Sequence, residues 1–163
     1  GFEVTLDCPN NRYINDEKIC VAVAGMVAKI GITMRVNGMP RAQYFPKVQK
    51  LETSMYMLGW GGGTTDAYFT LNPVLHSRND KGDGDYNWGN YKHPEFDALI
   101  DDAKGDMDAK RRQETIIKAM KFHHDNILHI PLHLQVIPWA SRANVEVVHR
   151  ADNWLQVPWV RIK

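Results

Sequence analysis

The sequence has no long apolar run and no excess of charge of one sign. None of its segments approaches the roughly 18 consecutive apolar residues that a membrane-spanning helix needs, so we predict no direct insertion into a membrane. Its 20 basic and 19 acidic side chains leave a formal net charge of +1. Nucleic-acid binding usually requires a clear basic excess, because contacts to phosphates dominate that interaction. This balance argues against nucleic acid as the main partner.

Cysteine is scarce, and the chain does not begin as a newly made protein does. Cys8 and Cys20 are the only two cysteines. They either form a disulfide in an oxidising compartment or remain separate buried thiols, and their spacing does not decide between the two. The first residue is Gly1, and no basic segment followed by an apolar stretch marks a secretory signal. We therefore expect a processed chain or a piece of a longer protein.

The motifs of common catalytic and metal sites are also missing. The sequence has no Gly-x-Gly-x-x-Gly before a long helix, no Gly-Lys-Ser/Thr phosphate loop and no Gly-x-Ser-x-Gly elbow. Residues 83–94 fail as a calcium loop, because Trp88 replaces the required glycine and Pro94 the required glutamate. His129 and His133 lie in a segment predicted to be extended, without the helical frame of a zinc site. We predict no catalytic residue, no metal site and no cofactor.

Residues 2–36 predict a β-α-β unit. Residues 2–6 and 32–36 alternate apolar and polar side chains, which is the period of a strand with one buried face. Between them, Asn15 is placed to cap a helix that ends at Gly31. The predicted buried face of this helix consists of Ile19, Val23, Met26, Val27 and Ile30. Two strands joined by such a helix favour parallel pairing with a right-handed connection.

The middle of the chain predicts two helices and a third strand. We expect a helix over 43–51, a strand over 54–59 that is covered on both faces, and a short helix over 68–76. Residues 77–93 are rich in glycine, aspartate and asparagine, which indicates a loop.

The last part of the chain predicts two longer helices and an edge strand. Pro94 is suited to the first position of one helix, and Asp108 caps the next. Residues 127–139 form the last clear strand region, which we place at an edge because Pro131 and Pro138 interrupt it. The whole pattern predicts an α/β fold with a mixed, largely parallel sheet flanked by helices.

A glycine-rich loop, Gly59-Trp60-Gly61-Gly62-Gly63-Thr64-Thr65-Asp66, follows the third predicted strand. Ligands of open α/β sheets lie beyond the carboxyl ends of the strands, and glycine allows a backbone to approach another molecule closely. We therefore predict a ligand-binding loop. Its candidate residues are Trp60, Gly61, Gly63, Thr64 and Asp66. The alternative is that Trp60 belongs to the core and that Asp66 caps the following helix.

Several short motifs follow one another along nearly the whole chain. They are the strand and turn of residues 2–10, Lys29-Ile30-Gly31-Ile32, Gly59-Trp60 with Asp66, Asn87 with Tyr91, Pro94 and Asp97, Asp108 with Lys110-Arg111, and Ile130-Pro131-Leu132. In this order they resemble the C-terminal lobe of the family 5 extracellular solute-binding proteins. Members of this family are the receptors through which ABC importers collect dipeptides, oligopeptides, glutathione and nickel.

The resemblance implies that residues 1–163 are one lobe of a type II periplasmic-binding-protein fold and a fragment of a longer, two-lobed receptor. Residues 151–163 would lead back toward the other lobe. The lobes would close around a peptide or a similar small polar solute by hinge motion. The receptor would be periplasmic or lipid-anchored outside the cytoplasm, and it would dock on the membrane permease of an ABC transporter. The resemblance implies binding without catalysis.

One position departs from the family pattern. Peptide receptors often have an aspartate three residues after the tryptophan, which pairs with the α-amino group of the peptide. Here that position is Gly63, and Asp66 aligns with a later aspartate of the family. Burying an ammonium group without a partner is costly. We hypothesise that a dipeptide with a free amino terminus is not the favoured solute unless Asp66 reaches it.

The rival function is a stand-alone α/β enzyme, either a hydrolase or a transferase. Such an enzyme would need an acid–base pair converging on one pocket, and the sequence does not display one.

Overall fold

The first strand lies at the centre of a parallel sheet. In the computed structural model, which describes residues 1–61, 63–150 and 152–163, β1 (Glu3–Pro9) has a partner on each side. β2 (Thr33–Met39) and β3 (Met55–Tyr56) both run parallel to it, in the order β2-β1-β3. The predicted parallel pairing is confirmed. Because β1 is central, its second half from Leu6 to Pro9 is buried.

Helix α1 (Asp16–Ala28) connects β1 to β2. It begins differently from the prediction, because the side chain of Asn15 makes no capping hydrogen bond. Instead, the Asp16 carboxylate accepts hydrogen bonds from the backbone N–H groups of Arg12, Tyr13 and Glu17. The helix ends as predicted before Gly31, whose φ of +83° suits glycine.

The buried face of α1 is narrower than the pattern predicts. Ile19, Val23 and Val27 are half-buried, but the side chains of Met26 and Ile30 are exposed. The prediction of burial is therefore wrong at these two positions. The completely buried residue of this face is Cys20, and it forms a disulfide with Cys8 on β1. A link across 12 residues restricts the unfolded chain and contributes about 3 kcal/mol of stability.

A buried ionic contact fixes α2 (Arg41–Gln49) to the sheet. Asp7 on β1 is buried, and its carboxylate accepts hydrogen bonds from Lys47 Nζ on α2 and, at 2.7 Å, from Asn37 Nδ2 on β2. Burial raises the pKa of Asp7, but the hydrogen bonds from these partners outweigh it and bring the pKa below its ordinary value. The helix continues through Pro46.

The third strand is shorter than the predicted span of 54–59, since only Met55 and Tyr56 pair with β1. Met57 adds one further hydrogen bond to the Asp7 carbonyl. Among the described strands, only β1 pairs with β3. The other edge of β3 therefore has no strand whose hydrogen bonds would hold it in register.

The helices of the second half form a separate apolar cluster. α3 (Tyr68–Thr70) continues into a π-helical turn (Leu71–Leu75), within the short helix predicted over 68–76. α4 (Pro94–Gly105) and α5 (Ala109–Asp125) follow, with Pro94 in the first turn of α4 as predicted. Asp108 caps α5 by accepting a hydrogen bond from Arg111 N, also as predicted. The buried members of the cluster are Leu71, Val74, Leu75, Phe96, Ile100, Ala103, Ile116 and Ala119.

The predicted strand over 127–139 is wrong for the described part of the chain. This segment contains no strand pairing, and it exposes Ile130, Leu132, Leu134 and Val136. A strand exists only when a neighbouring strand completes its backbone hydrogen bonds, and none of the described strands lies beside this one. Further along, β4 (Val145–Glu146) pairs antiparallel with β5 (Arg161–Ile162).

The parallel sheet with its flanking helices confirms the predicted α/β class. Ala151, the first residue of the predicted tail, lies outside the described residues, and a single 3₁₀ turn (Val157–Trp159) precedes β5. None of the helices described here combines the length and apolarity needed to cross a bilayer.

Candidate functional site

The candidate site lies at the edge of the sheet where the parallel strands end. The loop that follows β3, residues 59–61 and 63–66, is called the Trp60 loop below; Gly62 lies outside the described residues. Tyr13, in the loop after β1, donates a hydrogen bond from its hydroxyl to the carbonyl of Gly59 at 3.3 Å. A Cβ at position 59 would lie 2.6 Å from the Tyr13 ring, so a larger residue there would require this ring to shift. This contact joins the chain segments that leave β1 and β3.

Arg12 brings a positive charge to the same edge. Its side chain is exposed, and its guanidinium lies 4.8 Å from the centroid of the Tyr13 ring. The guanidinium forms no ion pair with any carboxylate among the described residues. Sequence reasoning missed this residue, although a basic side chain in the turn after the first strand was a usable signal.

Trp60 is neither fully buried nor isolated. Its side chain is 38% exposed, and its ring packs 4.9 Å from the ring of Tyr86, which is 42% exposed. Tyr86 in turn packs 5.5 Å from Trp88, which is buried. Trp60 is therefore not a simple core residue, which was the alternative interpretation of the sequence. Tyr86 is a second residue that sequence reasoning missed.

Gly61 and Gly63 occupy open space. Both are exposed, neither has a positive φ, and no described atom lies within 4 Å of the place where a Cβ would stand. The described fold therefore gives no steric or conformational reason for glycine at these two positions.

Thr64 and Asp66 form contacts within the chain. The Thr64 hydroxyl accepts a hydrogen bond from Asp66 N at 3.2 Å. The Asp66 carboxylate accepts one from Tyr68 N at 2.9 Å, and its second oxygen lies 2.8 Å from Arg112 Nη1 on α5. The Arg112 hydrogen bond, with that from Tyr68 N, lowers the pKa of Asp66. Asp66 thus bonds the first residue of the helix that follows, close to the capping role of the alternative interpretation although the N-cap position itself is Ala67, and its charge is compensated.

Arg112 is itself positioned by the second half of the chain. Its Nε donates a hydrogen bond to the carbonyl of Ala103 at 2.9 Å, and its guanidinium lies 5.9 Å from the centroid of the Tyr68 ring. The end of the Trp60 loop is therefore tied to α4 and α5.

Residues 77–93, called the Asp83 loop below, hold Tyr86 in place. Gly84 N donates a hydrogen bond to the carbonyl of Asn72 at 3.1 Å, and Tyr86 N donates one to the carbonyl of Pro73 at 2.9 Å. Asn87 Nδ2 donates to the carbonyls of His76 and Tyr91. These bonds give the loop a defined shape.

Asp83 is the buried charge at the centre of this loop. Its carboxylate accepts hydrogen bonds from Asn72 Nδ2 at 2.7 Å, Asn79 Nδ2 at 2.9 Å and Lys104 Nζ at 3.3 Å. The bonds from Asn72, Asn79 and Lys104 hold the pKa of Asp83 well below its usual range. In the described part of the chain, no three His, Cys, Asp or Glu side chains are grouped so that they could hold a metal ion.

The Trp60 loop forms an open surface. A shallow depression of about 640 Å³ is lined by residues of α4, α5 and the turn between them, including Asp101, Asp106 and Arg111, and by no residue of the Trp60 loop. The five predicted residues thus divide into two groups. Trp60, Gly61 and Gly63 present free surface, whereas Thr64 and Asp66 are engaged within the chain.

Comparison with known proteins finds a matching family and a related protein. Residues 1–82 match the family described as bacterial extracellular solute-binding proteins, family 5 Middle. Heme-binding protein A of Haemophilus influenzae (strain ATCC 51907 / DSM 11121 / KW20 / Rd) is 26% identical over 118 residues, which are 72% of this chain and 21% of that protein.

Solved structures share the fold. The dipeptide-binding protein from Pseudoalteromonas sp. SM9913 in complex with Met-Leu has a TM-score of 0.78 and 18% identity, over 100% of this chain and 32% of that one. The periplasmic binding protein DppA from Helicobacter pylori in complex with the peptide STSA has a TM-score of 0.76 and 23% identity, over 99% and 31%. The chain therefore spans between 21% and 32% of the length of these relatives.

Proposed function

Because the chain belongs to the family 5 bacterial extracellular solute-binding proteins, we propose that it recognises a solute for import by an ABC transporter. In this proposal, residues 1–163 are the C-terminal ligand-binding lobe of a two-lobed receptor, and residues 151–163 lead back toward the other lobe. The lobe supplies one wall of a cleft that closes on a peptide or a similar small polar molecule. The closed receptor then docks on the membrane permease, and no reaction is catalysed.

The observation that carries this proposal is the pair of glycines at the edge of the sheet. Gly61 and Gly63 are exposed beside Trp60, and nothing described within the chain requires glycine at either position. Glycine at such places is explained if another surface approaches the backbone when the cleft closes. The edge where parallel strands end is where α/β proteins commonly bind ligands.

The charges near the loop favour a solute with an anionic group. The Asp66 carboxylate is compensated by Arg112, so it offers little to a solute ammonium group. Arg12 is exposed, and its guanidinium, which pairs with no carboxylate among the described residues, suits a carboxylate of the solute. We propose that Trp60, Gly61 and Gly63 contact the solute, that Arg12 binds its carboxylate, and that Thr64 and Asp66 position the loop.

The Cys8–Cys20 disulfide supports a place outside the cytoplasm. Disulfides persist in oxidising compartments such as the bacterial periplasm and are rare in the cytosol. We therefore propose that the receptor works in the periplasm or on a lipid anchor at the outer side of the membrane.

The test is calorimetry on the full-length receptor with three probes: Ala-Ala, N-acetyl-Ala-Ala and Ala-Ala amide. We expect acetylation of the amino group to leave the affinity unchanged or higher, and amidation of the carboxylate to lower it. Arg12→Gln should weaken binding of N-acetyl-Ala-Ala by about 10- to 100-fold, which corresponds to losing one charge-assisted hydrogen bond.

Two results would contradict parts of the proposal. If Ala-Ala binds tightly and Asp66→Ala leaves that binding unchanged, the hypothesis against free amino termini is wrong. Equal affinity for the acid and the amide would remove the role of Arg12. The probes are also recovered and analysed by mass spectrometry, because cleavage or transfer would favour the rival enzyme function.

A further inference from the structure

We propose that Tyr86 is a solute-contacting residue, and that Tyr86 and Trp60 together form an aromatic platform that selects solutes with a planar or large apolar side chain. This inference rests on the proposed function, and it concerns a residue of the Asp83 loop that no sequence pattern singled out. The charges near the loop define only an anionic group of the solute, and this inference adds a preference for the kind of side chain.

The geometry of the two rings carries the inference. Their centroids are 4.9 Å apart and their planes are tilted by 59°, so each ring covers part of the other. Even so, the side chain of Trp60 remains 38% exposed and that of Tyr86 42% exposed. Two neighbouring aromatic rings that keep this much free surface can contact a planar or apolar group from the solvent side.

A comparison with the nearest aromatic residue separates this arrangement from ordinary core packing. Trp88 is the next ring inward, 5.5 Å from Tyr86, and it is 3% exposed. It also packs against Phe45 and Tyr56 and donates a hydrogen bond from Nε1 to the carbonyl of Asp85. Trp88 therefore serves as the buried support, and Tyr86 and Trp60 are the members of the stack that face outward.

The platform is held in position before any solute binds. The backbone N–H of Tyr86 is bonded to the carbonyl of Pro73 at 2.9 Å, and the ring of Tyr86 rests on Trp88. An aromatic side chain that is already ordered loses little entropy when a ligand contacts it. Stacked or edge-to-face contact with a planar group is then the interaction that these rings favour.

The position of the platform also fits the charge preference. Trp60 directly follows Gly59, which contacts Tyr13, and Arg12 lies over the Tyr13 ring. A solute carboxylate at Arg12 would leave an adjacent side chain free to reach the rings. The two elements would recognise different parts of one molecule.

The experiment measures a ratio of affinities in the full-length receptor. The probes are N-acetyl-Ala-Phe and N-acetyl-Ala-Ala, titrated by calorimetry into wild type, Tyr86→Ala, Tyr86→Leu and Tyr86→Phe. We expect the wild type to prefer the phenylalanine probe by about three- to tenfold, the range of a single aromatic contact. The preference should persist in Tyr86→Phe and fall to less than about twofold in Tyr86→Ala and Tyr86→Leu.

Phe69→Ala is the matched control. Phe69 is 50% exposed and packs against Tyr68, so its removal deletes an exposed ring elsewhere and should leave the ratio unchanged. Tyr86→Leu keeps an apolar side chain on Trp88, and circular dichroism confirms that each variant is folded before it is titrated.

The outcomes distinguish this inference from the proposed function. An unchanged ratio in Tyr86→Leu would overturn the inference while leaving solute binding intact. A parallel loss of affinity for both probes would also overturn it, because Tyr86 would then support the site without selecting the side chain. Failure of the wild type to bind either probe would overturn the peptide assignment and the inference together.

Discussion

Two glycine-rich loops meet at the Trp60–Tyr86 contact, and they use glycine for different reasons. In the Asp83 loop, Gly82 and Gly84 have φ values of +88° and +67°, and a Cβ on Gly84 would collide with the backbone of residues 76–78. In the Trp60 loop, Gly61 and Gly63 meet neither constraint within the described chain. Gly82 and Gly84 are therefore required by the fold of their loop, whereas the described chain gives no such reason for glycine at positions 61 and 63.

The hydrogen bonds also show that the Asp83 loop is more constrained by the rest of the chain than the Trp60 loop. The Asp83 loop has a buried carboxylate with several donors and backbone bonds that tie it to Asn72 and Pro73. The Trp60 loop is fixed at its two ends, by Tyr13 at Gly59 and by Arg112 at Asp66. One loop behaves as part of the scaffold, and the other presents a surface between two anchored ends.

The largest expected effect follows from Gly84→Ala. An alanine there adopts a left-handed conformation that costs about 1–2 kcal/mol, and its Cβ meets the His76 carbonyl and lies 2.9 Å from Arg78 N. We expect a total loss of about 3–5 kcal/mol in the free energy of unfolding, because the obstacle is backbone that cannot move aside. Urea unfolding followed by circular dichroism measures this loss.

Gly82→Ala is the control for Gly84→Ala. Gly82 has the same sign of φ, but the nearest atom to its absent Cβ is a side-chain oxygen of Asp85 at 3.8 Å. The strain alone should cost about 1 kcal/mol. Equal losses in the two variants would contradict the role of the close backbone contact.

Asp83→Asn should destabilise the scaffold loop by about 2 kcal/mol at neutral pH, because a buried acceptor with several donors is replaced by a group that cannot satisfy all of them. The effect depends on pH. Since the pKa of Asp83 is lower in the folded than in the unfolded state, its stabilisation is complete above the unfolded value near 3.8 and is lost as the pH falls further.

The difference in unfolding free energy between wild type and Asp83→Asn should therefore shrink between pH 4 and strongly acidic solution. Thermal melts of both proteins over this range measure it. A constant difference at all pH values would show that the carboxylate charge is not the source of the stabilisation.

Local patterns in the sequence predict the β1-α1-β2 unit and two later helix starts well. The β1-α1-β2 unit follows from alternation, a helical period and Gly31, and the helix starts at Pro94 and Asp108 follow from capping chemistry. These signals are contained in a few consecutive residues. The same residues also predict where the candidate loop lies, because the carboxyl edge of a parallel sheet is defined by strand direction alone.

Interactions between distant residues are what the sequence does not reveal. The apolar segment 127–139 is predicted as an edge strand, but its pairing depends on a neighbour that the described chain does not supply. The spacing of Cys8 and Cys20 is compatible with a disulfide and with free thiols, and only the packing of α1 on β1 brings the sulfurs together. The partners of Asp66 and Trp60 likewise come from other elements of the fold.

A smaller effect is expected at the anchor of the Trp60 loop. Arg112→Met should lower stability by about 1 kcal/mol, since the Asp66–Arg112 pair is partly exposed and solvent screens it. The solute affinity of the full-length receptor should fall as well, because the loop loses one of its fixed ends. Arg111→Gln is the control: Arg111 is more exposed and pairs with Asp106, away from the loop. Equal changes in affinity for both variants would contradict the positioning role of Arg112.

The smallest effect on stability, and the sharpest test of the comparison, is expected for Gly61→Ala. Nothing described lies near its Cβ position and its φ is not positive, so the free energy of unfolding should change by less than about 0.5 kcal/mol. Solute affinity in the full-length receptor should nevertheless fall several-fold, because under the proposed function a methyl group would stand where the solute or the opposite wall approaches. Gly25→Ala is the matched control, since this helical glycine also has no atom near its Cβ position but lies on α1. It should stabilise the protein by up to about 1 kcal/mol and leave affinity unchanged. If Gly61→Ala binds the calorimetric probes as the wild type does, the open space at residue 61 has no role in recognition, and glycine in this loop would need another explanation.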